Sequence, residues 1–142
     1  MGALLRAGLR DTRASSAIEF AILAPVFLLM LTGMMAYAIY FGAANSVQQL
    51  TADAARTAIA GLDAGERGRM VDAFLKKNAG DYMLIDQARV TWDVSDKAND
   101  PNQYLVTVHY DATELPIWNL YLPLPLPSAL ISYTSVIRRG GL

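Results

Sequence analysis

The chain has 142 residues and a formal net charge of −1, which leaves room for one modest domain or for a membrane anchor with a smaller domain. This charge creates no electrostatic field that would favour nucleic acid as a partner. The absence of cysteine excludes disulfides, thiol nucleophiles and cysteine metal sites. Hydrophobic residues make up 54% of the chain, and many of them lie in one block near the N-terminus.

That block runs from Phe20 to Ala44 without a charged residue. It is about 25 residues long, and about 20 apolar residues suffice to cross a bilayer core as a helix. Three arginines precede it, whereas the first charge after it is Asp53. The positive-inside rule therefore predicts a single transmembrane helix over residues 15–44, with the N-terminus in the cytoplasm and the C-terminus outside.

The helix is expected to continue as an amphipathic segment over residues 45–62. Apolar residues recur there at spacings of three and four and form a stripe along one face: Val47, Leu50, Ala54 and Ala58. Asp53 and Arg56 are placed to pair on the opposite face. Gly61 is a natural stop. The sequence therefore predicts one helix from about Ser15 to Ala60.

Residues 63–142 are expected to form a small head domain. Gly65 and Gly68 predict a break in the chain, followed by a short helix from Arg69 to Asn78 that ends before Gly80. Because a core of this size is small, the long helix is expected to complete it.

Three segments of the head alternate as strands do: Arg89–Ser95, Tyr104–Tyr110 and Leu130–Ile137. The first two are separated by a turn-rich segment and predict an antiparallel hairpin. Residues 122–127 alternate Leu and Pro, which predicts extended chain because proline cannot join a sheet ladder. Together with the helices, this predicts an α+β fold with a three-stranded antiparallel sheet.

Glu19 is the least expected residue of the apolar block, because it stands at its start between Ile18 and Phe20. A carboxylate near lipid costs a few kcal/mol and usually has a partner or a function. At the cytoplasmic interface, however, headgroups and water would solvate it at little cost. Position alone leaves both interpretations open.

The residues around Glu19 carry a family resemblance. Arg13–Phe20, followed by Pro25 and a leucine-rich run, resembles the class III signal of type IV pilin-like proteins, specifically the TadE/TadF-like minor pilins (pseudopilins) of tight-adherence (Flp) pilus systems. Gly42 and the continuation through Gln48–Arg56 add to the resemblance, which covers about residues 13–60 and implies a pilin-like fold.

The resemblance implies that residues 1–14 are a basic leader, removed by a prepilin peptidase between Ala14 and Ser15. The family usually has Gly where this chain has Ala14. Glu19 would then be the fifth mature residue. Its carboxylate, next to Phe20, would pair with the new α-amine of Ser15 on a neighbouring subunit and set the axial register.

Two further features of the helix each have two interpretations. Pro25 removes a backbone donor, so it marks either an ordinary membrane-helix kink or a point where the helix loosens on entering a fibre. Ala38 and Gly42 are small residues four apart, which either allow close helix packing or reflect composition alone.

The implied role is a non-catalytic subunit that helps to assemble or initiate a pilus used in surface adhesion. Its expected location is the bacterial inner membrane as a single-pass protein with a periplasmic head, with incorporation into the extracellular pilus as a further step. Expected partners are other pilins and pseudopilins, the prepilin peptidase and the inner-membrane assembly platform. No metal, cofactor, small-molecule substrate or nucleic acid is expected.

Nothing in the sequence favours an enzyme, because His109 is the single histidine and no nucleophile or phosphate motif accompanies it. Two alternative functions stay open. One is a bitopic membrane scaffold that is never cleaved. The other is a secreted domain released after Ala38, because Ala36-Tyr37-Ala38 fits a signal-peptidase site.

Overall fold

A computed structural model of the chain describes residues 12–97, 100–120 and 125–138, without the side chains of 12–14 and 101. Within these ranges the chain forms helices α1 and α2 and an antiparallel sheet of strands β1, β2 and β3, which confirms the expected α+β class. Their bounds are α1 Thr12–Thr57, α2 Ala64–Asn78, β1 Val90–Lys97, β2 Asp100–Asp111 and β3 Leu130–Arg138.

Helix α1 is continuous for 46 residues and is prolonged by a 3₁₀ turn, Ala58–Ala60. At 1.5 Å per residue the helix is about 69 Å long. Gly61 follows in an extended conformation and ends the helix, as expected. The described part of the chain therefore has the single long N-terminal helix that the sequence predicted.

Helix α2 begins at Ala64, well before the predicted Arg69. The side chain of Asp63 accepts a hydrogen bond from the backbone N–H of Glu66 at 2.8 Å. The Glu66 carboxylate in turn accepts from the N–H of Leu62 at 2.8 Å. This reciprocal capping starts the helix early, so the prediction that Gly65 and Gly68 break the chain was wrong.

The sheet is a meander in the order β1-β2-β3. Tyr110 of β2 pairs with Val90 on one side and with Ile131 on the other. The predicted alternation is confirmed, because the residues of β2 that face the core are all buried: Tyr104, Val106, Val108 and Tyr110. The sheet therefore packs one face against α1.

Strand β2 runs alongside α1 in the opposite direction. The Tyr104 hydroxyl donates to the Ala55 carbonyl at 2.8 Å. The Tyr110 hydroxyl donates to the Leu84 carbonyl at 3.0 Å, and the Leu84 side chain lies beside Gly42. Residues 42–55 of the helix and 104–110 of the strand each cover about 20 Å. The connections before β1 and after β2 therefore lie at the end of the head nearer the apolar part of α1, here called the base.

Candidate functional site

The N-terminal part of α1 is an apolar surface. Every side chain from Ser15 to Leu31 is exposed or half-buried, and the large apolar ones are mostly more than half exposed. An 18-residue window of this helix has a mean hydropathy of 2.1 and is 11% buried. By length and composition it is the one helix among the described residues that can span a membrane.

At the start of this surface, the Ser15 hydroxyl donates to the Glu19 carboxylate of the same helix at 3.4 Å. Both residues are exposed, and Phe20 beside them is 72% exposed. The side chain of Ala14 and residues 1–11 of the expected leader lie outside the described residues. An α-amine created at Ser15 would lie one helical turn from Glu19. That carboxylate can therefore pair with the amine of its own chain or of a neighbour.

Pro25 does not interrupt α1, whose backbone is helical on both sides of it. The nearby polar side chain is also satisfied within the helix, because the Thr32 hydroxyl donates to the carbonyls of Leu28 and Leu29 at 2.9 and 3.1 Å. Such internal pairing suits a lipid environment. A loosening of the helix at Pro25 stays a prediction.

The head covers one face of α1 from Gly33 onward. Ala36 is 1% exposed, and the Tyr37 hydroxyl donates to the Pro125 carbonyl at 2.6 Å. The buried row then continues with the predicted stripe, which is confirmed in full: Val47, Leu50, Ala54 and Ala58. The last third of the apolar block thus has one face against the head and the opposite face exposed.

Gly42 lies against its own head domain. A Cβ at this position would be 3.2 Å from Cδ1 of Leu84. Leu84 has a φ of 65°, in the left-handed region that non-glycine residues rarely adopt. Ala38, one turn before Gly42, is exposed. Close packing of a second helix on this pair stays a prediction.

Asp53 connects α1 to the chain after α2. Its carboxylate is 2.6 Å from Nη1 of Arg56, as expected, and also accepts a hydrogen bond from the Tyr82 hydroxyl at 2.8 Å. Burial, followed by the hydrogen bond to Asp53, raises the pKa of Tyr82 to about 12. Tyr82 therefore stays a neutral donor throughout the physiological range.

Sequence reasoning missed a buried arginine. Arg67 is 3% exposed, its guanidinium lies 5.3 Å from the ring centre of Tyr104, and its Nη2 lies 3.4 Å from Oδ1 of Asp96. The sequence gave no local signal for this burial, which depends on the close packing of Arg67 against Gly61 and on its contact with Tyr104. Among the described residues, no group of three histidine or acidic side chains is placed to hold a metal.

Comparison with known proteins bears on α1. A family model described as TadE-like protein matches residues 14–56, somewhat less than one third of the chain. The match includes Ser15, Glu19 and Pro25 and ends just before the 3₁₀ turn. No curated protein and no solved structure gives a match to the chain.

Proposed function

From a TadE-like segment at residues 14–56, consistent with a TadE-like protein of the Tad pilus system, we propose that this chain is a minor pilin or pseudopilin subunit. In this proposal a prepilin peptidase cleaves between Ala14 and Ser15, and the mature subunit helps to assemble or initiate a pilus that serves surface adhesion. Other pilins and pseudopilins and the inner-membrane assembly platform are its proposed partners.

One observation carries the proposal. The exposed apolar half of α1 begins with a single carboxylate, Glu19, and continues without a break into the core of the head. A subunit of this shape can be anchored in a membrane by its helix before assembly. On assembly, the helices of neighbouring subunits would replace lipid around the same apolar surface. The Glu19 carboxylate would then pair with the α-amine of a neighbouring subunit. Between packed apolar helices the dielectric constant is low, so such a charge pair is directional and strong.

The first test is the N-terminal sequence and intact mass of the protein from membranes, with and without the prepilin peptidase. A start at Ser15 that requires the peptidase supports the proposal. A start at Met1 or Gly2 in both strains supports the uncleaved scaffold instead. Replacing Ala14 with Gly would bring the site to the usual family pattern, and we expect it to increase the processed fraction.

The second test concerns Glu19 after processing. We expect Glu19→Leu and Glu19→Gln to reduce co-purification of other pilins alike, because both remove the charge. Phe27→Leu, at an exposed position farther along the helix, is the matched control and should keep it. Undiminished co-purification in the Glu19 variants would refute the pairing role.

The structure bears on the secreted alternative. Cleavage after Ala38 would remove Ala36 from the core and Tyr37 from its hydrogen bond with Pro125. Because that core is small, we expect the released product to be less stable than the whole chain. This argument favours retention of the anchor.

A further inference from the structure

We propose that the base of the head rests in the outer headgroup layer of the membrane, through the turn at residues 82–85 and the proline segment at residues 125–127. The ligand of this surface is lipid. The inference rests on the proposed membrane anchor and adds a second contact, made by the head itself. It would hold the subunit at a fixed depth and tilt before assembly.

The spacing along α1 places the base at this level. From Glu19 to Tyr37 the helix rises about 27 Å, close to the ~30 Å thickness of a bilayer core. With Glu19 at the inner interface, Tyr37 lies at the outer one. Pro125 is hydrogen-bonded to Tyr37, and Leu84 lies beside Gly42, only about 8 Å farther along the helix.

The base presents large apolar side chains. Met83 is 68% exposed, Leu84 is 38% exposed and Leu130, at the start of β3, is 57% exposed. Met83 and Leu84 are adjacent on a tight turn, and Leu84 holds a left-handed backbone conformation of the kind kept where a function requires it. Met83 and Leu84 form an exposed apolar pair beside Gly42, whereas Leu130 alternates with the buried Ile131 and lies on the other face of the sheet. An exposed apolar pair of this kind suits a contact surface.

Polar groups at the base suit an interface rather than a hydrocarbon core. The Trp118 indole N–H donates to the Ala112 carbonyl at 2.6 Å, so this polar group of the half-buried ring is already paired inside the head. Arg89 lies within 4 Å of three carboxylates at the same end of the sheet: Asp86, Asp111 and Glu114. These charges need water or headgroups, and so they limit how deeply the base can enter.

Lipid fits this surface better than a second copy of the chain. The turn and the proline segment flank the place where α1 passes from its exposed apolar half into the head. The surface is therefore continuous with the apolar face that the anchor presents to lipid. A partner protein bound at the base would have to displace the lipid that surrounds α1 at the same depth in the membrane.

The test uses single-cysteine variants of the full chain, which has no cysteine of its own. Met83→Cys, Phe27→Cys and Ser95→Cys would each carry an environment-sensitive fluorophore. The proteins would be reconstituted in two sets of phosphatidylethanolamine–phosphatidylglycerol vesicles, one with lipids spin-labelled near the headgroup and one with lipids spin-labelled near the end of the acyl chain. Phe27 is the anchor control, and Ser95, exposed near the far end of β1, is the solvent control.

We expect the label at Met83 to lose fluorescence to the shallow quencher, while the label at Ser95 keeps its full signal. Quenching at Phe27 by the deep label, with no quenching at Met83 by the shallow one, would overturn the inference and leave the membrane anchor intact. Absence of quenching at Phe27 by the deep label would refute the anchor itself. A Met83 label shielded from lipid by a second copy would also escape the quencher, and this outcome likewise counts against the inference.

Discussion

The guanidinium of Arg67 lies over the ring of Tyr104, and the Tyr104 hydroxyl donates to the Ala55 carbonyl of α1. Through this pair α2 is tied to the sheet and the sheet to α1, at the end of the head away from the base. Arg67 is nearly fully buried, whereas its partner Asp96 is about half exposed. Loss of the arginine therefore leaves a carboxylate that water can still solvate.

We expect Arg67→Ala to destabilise the head by about 2–3 kcal/mol, because it removes the stacking on Tyr104 and leaves a cavity. Arg67→Met keeps most of the volume and should cost less, about 1 kcal/mol. Urea unfolding of the full chain in detergent, followed by the fluorescence of Trp92 and Trp118, measures both. Equal losses in the two variants would mean that charge, and not packing, dominates.

Two glycines form a matched pair for a second prediction. A Cβ at Gly61 would lie 2.7 Å from Cγ and 3.0 Å from the backbone N of Arg67, whereas a Cβ at Gly68 meets nothing within 4 Å. Gly61→Ala should therefore cost about 1–3 kcal/mol, because backbone has to move. Gly68→Ala, inside α2, should gain about 0.5–1 kcal/mol. The same urea unfolding applies, and a stabilising Gly61→Ala would contradict the close contact.

The pKa of Tyr82 predicts a stability change at high pH. The folded pKa of about 12 lies above the ordinary 10.0, so the folded state holds the proton more tightly. This contribution is present in full below pH 10 and is lost as the pH rises from about 10 to about 12. Tyr82→Phe should cost about 1 kcal/mol at neutral pH, through loss of the hydrogen bond to Asp53.

The check compares the free energy of unfolding of the two proteins across that pH range. Their difference should be constant below pH 10 and should shrink above it. Burial also raises the pKa of Tyr110, but that residue is present in both proteins and its effect cancels. A difference that is independent of pH would contradict the Tyr82 assignment.

Tyr37 and Tyr40 allow a controlled test of the contact between α1 and the proline segment. Of these two tyrosines, both within the described residues, Tyr37 donates its hydroxyl to the Pro125 carbonyl at 2.6 Å, whereas no hydrogen bond is seen for the Tyr40 hydroxyl. We expect Tyr37→Phe to destabilise the head by about 1 kcal/mol and to speed hydrogen exchange of the amides of residues 126 and 128–130. Tyr40→Phe should change neither, and an equal effect of both would argue against a specific contact.

The periodic elements were predictable because their signals are local. The alternation in β2 and the spacing of Val47, Leu50, Ala54 and Ala58 each report one buried face, and the structure buries both. The predicted start of α2 was wrong because Gly65 and Gly68 were interpreted as helix breakers, although capping residues precede them. Asp63 and Glu66 carried the correct signal at the spacing of a capping box.

Other features depend on residues that are distant in the chain. The burial of Arg67 needs Tyr104 of another element, and the left-handed Leu84 is held by Tyr110 and by the space at Gly42. The contact of Tyr37 with Pro125 joins residues 88 positions apart. The predicted cleavage between Ala14 and Ser15 requires a peptidase, and the predicted pairing of Glu19 requires a neighbouring subunit. The structure of a single chain contains neither.

The alignment of β2 with α1 has a mechanical consequence. A pull on the N-terminal end of the helix, as when a subunit is drawn out of a membrane, acts along the direction in which sheet and helix lie side by side. The load then falls in shear on the whole buried row from Ala36 to Ala58 at once, instead of peeling contacts apart one after another. Such a small head is thereby arranged to resist extraction force better than its modest core would suggest.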